Sequence, residues 1–281
     1  MYILFNVGGT KIRLAVSRSD KTVHERSIRI FHTPVRFKDG MNVFRKFRDT
    51  LGGKKMKMVV GGIPGVFNKE KSKLISSPNM HGWVGKPLGR ELTKIFKAPV
   101  FLDNDTIMEG MGEASFGAGK GKKIVVYMTI GTGVGGAKIV NGLPDENKLG
   151  FEPGHQIVVL GGDECSCGGL GHVESYVSGR ALKKRYGKMG SELDKGQVNE
   201  VMKILAAGLN NITVMWSPDV IILGGGLIND GIFSLPKLRA RVKKLVKVFD
   251  RMPPLRKSAL GEKNGLYGAL AYANKCCKVR H

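Results

Sequence analysis

The sequence predicts an α/β protein made of two related lobes that face one another across a cleft. Short apolar runs of strand length alternate with stretches of helical periodicity, the pattern of a mixed sheet covered by helices. Many of the 40 glycines fall in clusters at the ends of those runs, as in Gly8-Gly9, Gly61-Gly62, Gly135-Gly136 and Gly224-Gly225-Gly226. The order strand, glycine turn, strand occurs near residues 2–17 and again near 123–140, which points to two lobes of common design.

Tyr2 to Val7 is apolar and ends in Gly8-Gly9-Thr10, and Lys11 to Ser17 resumes with alternating apolar positions, so a glycine turn joins two strands. Met58 to Gly61 reads as a strand entering the loop Gly62-Ile63-Pro64-Gly65. Leu88, Leu92 and Ile95 are spaced for a helix, and Pro99 to Leu102 for another strand. Thr106 to Ala114 then reads as a helix capped by Asn104 or Asp105. The second half opens with the strand Lys123 to Thr129, the turn Gly131 to Gly136 and the strand Ala137 to Val140. A long helix over Val198 to Val214, a buried strand over Asp219 to Leu223 and a closing helix from Leu266 complete it. The expected division is 1–114 for the first lobe and 115–265 for the second.

Charge and cysteine content narrow the classes. The net charge of +23 is dispersed, with dense stretches at Arg45 to Lys57 and Lys237 to Lys257, and would attract polyanions. Along the latter stretch Leu238, Val242, Leu245 and Phe249 form a helical stripe opposite the charges. That is a solvated amphipathic helix rather than a nucleic-acid surface. No segment is long and apolar enough to span a membrane, and the chain opens on a strand rather than a signal peptide. Cys165 with Cys167 and Cys276 with Cys277 do not form a secreted disulfide framework, so a reducing compartment, the cytoplasm, is expected.

Four constellations carry chemistry. Gly8-Gly9-Thr10-Lys11 and Gly131-Thr132-Gly133 offer backbone N–H groups that phosphate oxygens can approach closely. Either turn alone is more often a hairpin than a phosphate site; two, one per lobe, suit a clamped triphosphate. Asn104-Asp105 lies where a strand gives way to a helix. A carboxylate there can take the proton of a hydroxyl attacking a phosphoryl group, or simply cap the helix. His155, Cys165, Cys167 and His172 present four N and S donors in a glycine-rich loop, matching a closed structural Zn²⁺ site, the alternative being incidental thiols. Glu152 and Glu174 flank that loop; carboxylates beside a polyol accept pairs of hydroxyl donors, though alone they read equally as surface charges.

Taken in order, Val7-Gly8-Gly9-Thr10-Lys11, Gly62-Ile63-Pro64-Gly65, Ser77 to Trp83, Asn104-Asp105, Gly131 to Gly136, Glu152-Pro153-Gly154-His155, Cys165 to Glu174 and Ile222 to Gly226 resemble the ROK family of sugar kinases and repressors over nearly the whole chain. The resemblance implies a ribonuclease-H-like fold of the actin/hexokinase type, closing on ATP with Mg²⁺ and on a sugar. It also implies that the closing helix, about 266–278, packs back on the first lobe. Asp105 would be the base acting on the sugar 6-hydroxyl. Asn104, Glu152, His155 and Glu174 would hold the other hydroxyls, with Gly65 and Asn79 lining the pocket. Gly224 and Gly225 would pack beside the adenosine. His155 would serve both sugar and zinc, and a homodimer is expected.

Three departures from the family pattern stand out. Asn6 replaces an aspartate that helps hold Mg²⁺ through water, which should weaken metal binding or lower turnover. Ile107 replaces a second asparagine, which bears on substrate preference. His172 replaces a zinc cysteine without changing the ligand count. The resemblance favours a glucokinase-like hexose kinase, glucose first and an N-acetylated amino sugar next. A non-catalytic sugar-binding relative is the alternative that Asn6 and Ile107 raise, and the basic charge raises polyphosphate as a donor. A repressor is not expected, because the first phosphate turn begins at residue 6 and leaves no room for a helix-turn-helix before it.

Overall fold

The computed structural model describes residues 1–77, 79–146 and 150–276. Pro78 of the Ser77 to Trp83 motif, Cys277 of the adjacent cysteine pair and the expected helix end at 277–278 lie outside them. The chain divides into two compact units. One is Met1–Phe116 together with the segment that starts at Glu262, and the other is Gly117–Gly261.

The first unit contains β1 (Tyr2–Val7), β2 (Lys11–Ser17), β3 (Arg29–His32), α1 (Phe37–Asp49), β4 (Met58–Ile63), the short hairpin β5 (Val66–Phe67) and β6 (Leu74–Ser76), α2 (Leu88–Phe96), β7 (Val100–Asn104) and α3 (Asp105–Phe116). Its main sheet runs β3-β2-β1-β4-β7. β1 pairs antiparallel with β2 and parallel with β4, which pairs parallel with β7. Every residue of β1 is buried, which explains why its sequence is apolar at every position but Asn6 rather than alternating. Behind it Phe5, Phe44, Phe96 and Trp83 form the core, with Phe5 edge-on to Phe44 at 5.1 Å. The closing helix, Asn264–Lys275, packs on α3, β1 and β4. Small residues permit this: a Cβ on Gly268 would fall 1.6 Å from the Met108 carbonyl oxygen, and one on Gly112 2.3 Å from that of Asn264.

The second unit contains β8 (Ile124–Ile130), β9 (Val134–Val140), β10 (Leu143–Pro144), α4 (Glu174–Val177), α5 (Gly179–Tyr186), α6 (Lys195–Trp216), β11 (Val220–Gly224), α7 (Gly226–Asn229), α8 (Leu235–Leu245) and β12 (Leu255–Lys257). Its sheet runs β10-β9-β8-β11-β12, with β8 antiparallel to β9 and parallel to β11. This is the strand order and direction of the first unit over again, which is the physical content of the repeated strand–turn–strand pattern. α6 starts at a capping box: the Asp194 carboxylate accepts the Gln197 N–H at 2.9 Å, and the Gln197 side chain accepts that of Asp194 at 3.1 Å.

The stripe expected over Lys237 to Phe249 needs correction. α8 ends at Leu245, so Leu238 and Val242 are buried while Leu245 and Phe249 are exposed. Four apolar positions matched the helical period, but only two of them face a core. Among the described residues no helix is long and apolar enough to cross a membrane.

Candidate active site and metal centre

In the first unit the parallel strands β1, β4 and β7 end together, and the residues singled out from the sequence follow directly: Gly8 after Val7, Pro64-Gly65 after Ile63 and Asp105 after Asn104. Ligands of open α/β sheets bind beyond these carboxyl ends. The turn between β1 and β2 is closed by the Gly8 N–H donating to the Lys11 carbonyl at 2.8 Å. Thr33 braces it from outside, its N–H reaching the Thr10 carbonyl at 2.9 Å and its hydroxyl the Gly8 carbonyl at 2.7 Å. A Cβ on Gly9 would lie 3.4 Å from the Asn79 Cβ, so these two expected site residues adjoin. Lys11 lies 3.7 Å from Glu262, and the Arg13 guanidinium, 2.9 Å from the same carboxylate, holds it below the usual carboxylate range.

Asp105 is the first residue of α3, one position earlier than the expected helix start. The Thr106 N–H is shared between the Asn104 side-chain oxygen at 2.8 Å and Asp105 Oδ1 at 3.0 Å, so both candidate caps act. Asn104 also donates through Nδ2 to the Gly65 carbonyl at 3.2 Å, which binds two expected site residues together and leaves one amide hydrogen for a ligand. Gly65 has φ +135°, and a Cβ there would meet the Ser76 carbonyl oxygen at 2.4 Å, so only glycine fits. A Cβ on Gly62 would stand 2.8 Å from the Asp105 Cα and 3.0 Å from Asn6 Oδ1; that bare position is what lets the head of α3 approach β1.

Asn6 is buried, and its Oδ1 meets no hydrogen-bond donor among the described residues, while its Nδ2 lies 3.5 Å from Glu109 Oε1. A neutral oxygen and a neighbouring carboxylate form an all-oxygen set, which suits the water shell of Mg²⁺.

One contact behind Asn104 has no counterpart in the sequence pattern. Lys71, in the left-handed conformation at φ +50°, sets its ammonium against the buried Asp103 carboxylate, whose other oxygen accepts the Asn104 N–H at 2.9 Å. Lys71 sits in a polar loop without periodicity, and nothing in its local sequence distinguishes it from neighbouring lysines.

In the second unit β8 and β11 end at Ile130 and Gly224, and the glycine turns follow. Gly225 has φ +86°, and a Cβ there would lie 2.5 Å from the backbone N and O of Ile130, so Gly224-Gly225 rests directly against the turn of Gly131, Thr132 and Gly133. The Gly131 carbonyl accepts the Gly179 N–H at 2.7 Å. Glu174 Oε2 accepts the Val134 N–H at 2.7 Å, and its Oε1 accepts the Ser166 hydroxyl at 3.1 Å. Glu174 therefore ties the glycine turn to the cysteine loop, a role its sequence position did not disclose.

That loop gathers all four expected donors: one ligand atom each from His155, Cys165, Cys167 and His172 lie within 4.8 Å of one another. Metal–nitrogen and metal–sulfur bonds of about 2.0 and 2.3 Å imply tetrahedral N–N and N–S edges of about 3.3 and 3.6 Å. The His155 and His172 Nδ1 atoms are 3.4 Å apart, and two of the four N–S separations are 3.7 Å, for Cys165 with His155, and 3.3 Å, for Cys167 with His172. The donor set thus fits a tetrahedral ion. Burial pushes the Cys165 thiol up, and the Cys167 side chain and Glu174 add to it; a bound cation would instead favour the thiolate. Glu152 Oε2 lies 4.0 Å from His155 Nε2. Surrounding protein pushes the Glu152 carboxyl above its usual range, opposed by His155 and reinforced by Glu174; with 58% of the side chain still exposed, water keeps that effect modest.

The fold is of the actin/hexokinase type. The chain matches the ROK family over residues 2–276 and belongs to that family. It is 30% identical to an N-acetyl-D-glucosamine kinase of Yersinia pseudotuberculosis, over 96% of this chain and 97% of the relative. Among solved structures it resembles a ROK hexokinase from Thermus thermophilus, at TM-score 0.87 and 26% identity over 99% of both chains. It also resembles a ROK glucokinase from Streptomyces griseus in complex with glucose and AMPPNP, at TM-score 0.82 and 27% identity over 98% of this chain and 99% of that one. Within the family these relatives class the chain with the sugar kinases.

Proposed function

We propose that this sugar kinase transfers the γ-phosphoryl group of ATP to the 6-hydroxyl of a hexose, with Asp105 as general base. The observation that carries the reading is the common ending of β1, β4 and β7, which sets a carboxylate at the head of a helix beside a glycine turn and a second loop anchored to Asn104. Asp105 Oδ accepts the proton as the sugar oxygen attacks phosphorus, and Asn104 offers its remaining amide hydrogen to a hydroxyl. Gly65 and Asn79 shape the pocket; Glu152, His155 and Glu174 are assigned the other hydroxyls.

Backbone N–H groups of Gly8 to Lys11 and of Gly131 to Gly133 are assigned the phosphates, and Gly224-Gly225 the adenosine. Mg²⁺ bound with ATP would supply charge neutralisation at the phosphates, and the Asn6 and Glu109 oxygens are assigned to its water shell. Zn²⁺ is the ion that a two-histidine, two-cysteine tetrahedron suits, and it would pin the loop that Glu174 holds through Ser166. The relatives' names supply two acceptor candidates, glucose and N-acetylglucosamine.

A coupled ADP-release assay over a hexose panel, with ATP and with polyphosphate as donor, tests this. Sugar-dependent ADP release with a 6-phosphate product is expected. Tight sugar binding with no ADP release at saturating ATP and Mg²⁺ would replace the kinase by a non-catalytic sugar-binding protein.

A further inference from the structure

Asn6 marks a missing charge, and the structure shows which residue stands beside it. Its side chain is 5% exposed and held in place from two sides: a Cβ on Gly265 would fall 2.4 Å from its Cγ, and one on Gly62 3.0 Å from its Oδ1. The amide nitrogen faces Glu109 Oε1 at 3.5 Å, and the amide oxygen has no hydrogen-bond donor among the described residues. Glu109 follows Asp105 by four residues on α3, so the two carboxylates lie on one face of the helix, a turn apart.

We propose that Glu109 supplies the negative charge toward the nucleotide's magnesium that a ROK kinase with aspartate at position 6 would place on β1. The inference rests on the kinase reading above. An aspartate at position 6 would set a second carboxylate against Glu109, and like charges so close resist joint ionisation. An amide and a carboxylate are compatible there, with the amide N–H side toward Glu109. One negative charge is thus kept and moved from the strand to the helix, while the orphaned amide oxygen remains a ligand for the metal's water shell. Asn6 is on this account one half of an exchange rather than a lesion, and restoring aspartate by itself gains nothing.

The test uses the full chain, AMPPNP as nucleotide probe, and calorimetric titrations over a range of Mg²⁺ and, separately, Mn²⁺. Glu109→Gln is expected to raise the Mg²⁺ concentration that half-saturates AMPPNP binding by about tenfold, the usual penalty for losing an outer partner of a metal. The double change N6D with E109Q is expected to recover most of that loss, and glucose or N-acetylglucosamine affinity should be the same in all variants. If Glu109→Gln loses its thermal unfolding transition, Glu109→Asp serves instead; it keeps the charge and should stay within about threefold of the unaltered chain, whereas a loss of about tenfold would overturn the proposal. Unchanged Mg²⁺ dependence in Glu109→Gln, or no recovery in the double variant, overturns it while leaving the kinase reading intact. An unaltered chain that binds AMPPNP without regard to Mg²⁺, or phosphorylates no hexose, ends both.

Discussion

The two units share a strand order but spend their carboxylates differently. In the first, Asp105 and Glu109 project from one face of a long helix that begins at the end of a parallel strand, and the glycine turn is braced by Thr33. In the second, the corresponding turn is braced by a carboxylate, Glu174, which also holds the cysteine loop through Ser166. One scaffold used twice has diverged in the division of labour. The first unit presents two carboxylates on a rigid element, and the second fixes a long irregular loop with donors suited to a metal. Rigid helices position a reacting group well, whereas a loop without strands needs another source of order.

The sharpest way to break this comparison is to remove a carboxylate from the first unit. Asp105→Ala should lower kcat by about 10²–10⁴-fold, the range for losing a general base. Thermal unfolding should change little, since the Asn104 side chain still caps the Thr106 N–H. Retention of full activity in a steady-state assay would remove Asp105 from the mechanism.

The counterpart in the second unit is Cys167→Ala. Removing one of four donors should abolish stoichiometric zinc and weaken sugar binding by about tenfold, through disorder of the loop that Glu174 anchors. Metal analysis paired with calorimetric sugar titration checks it. Unchanged zinc content would show that the cluster is not a metal site. Unchanged affinity with zinc lost would show that the loop does not serve the sugar.

Much of this division was legible in the sequence, and where it was not the reason is physical. Apolar continuity located β1 and β8 because central strands are buried on both faces, and the cluster of two histidines and two cysteines was legible from residue type and spacing. Periodicity misled at Leu245 and Phe249, because spacing along a helix says nothing about whether a neighbouring element covers it. Lys71 and Asp103, 32 residues apart, and Asn6 and Glu109, 103 apart, meet only through tertiary folding, and no local pattern encodes such pairs.

A smaller effect is expected where backbone, not charge, does the positioning. Gly225→Ala forces an L side chain into φ +86° and against the Ile130 backbone, 2.5 Å from its Cβ. The cost is about 1–3 kcal/mol of stability, and the KM for ATP should rise while sugar affinity holds. A variant as stable as the parent, with unaltered ATP kinetics, would show that the strand end tolerates more freedom than its close packing implies.

The smallest effect tests whether the first unit's helix head is positioned by a surface group. Lys71 is 41% exposed at its side chain, so its pairing with Asp103 is screened and worth no more than about 1 kcal/mol. Asp103 is nevertheless buried and bonded to the Asn104 N–H, so a shift in that carboxylate would reach the residue before the proposed base. Lys71→Met should therefore reduce kcat about threefold with the KM for ATP unchanged, and Lys71→Arg should restore most of it. Loss of a merely stabilising pair would lower the unfolding temperature and leave kcat alone. The split between kcat and KM, together with rescue by arginine, thus decides whether the lysine acts through Asp103 on Asn104 and Asp105 or only holds its own loop.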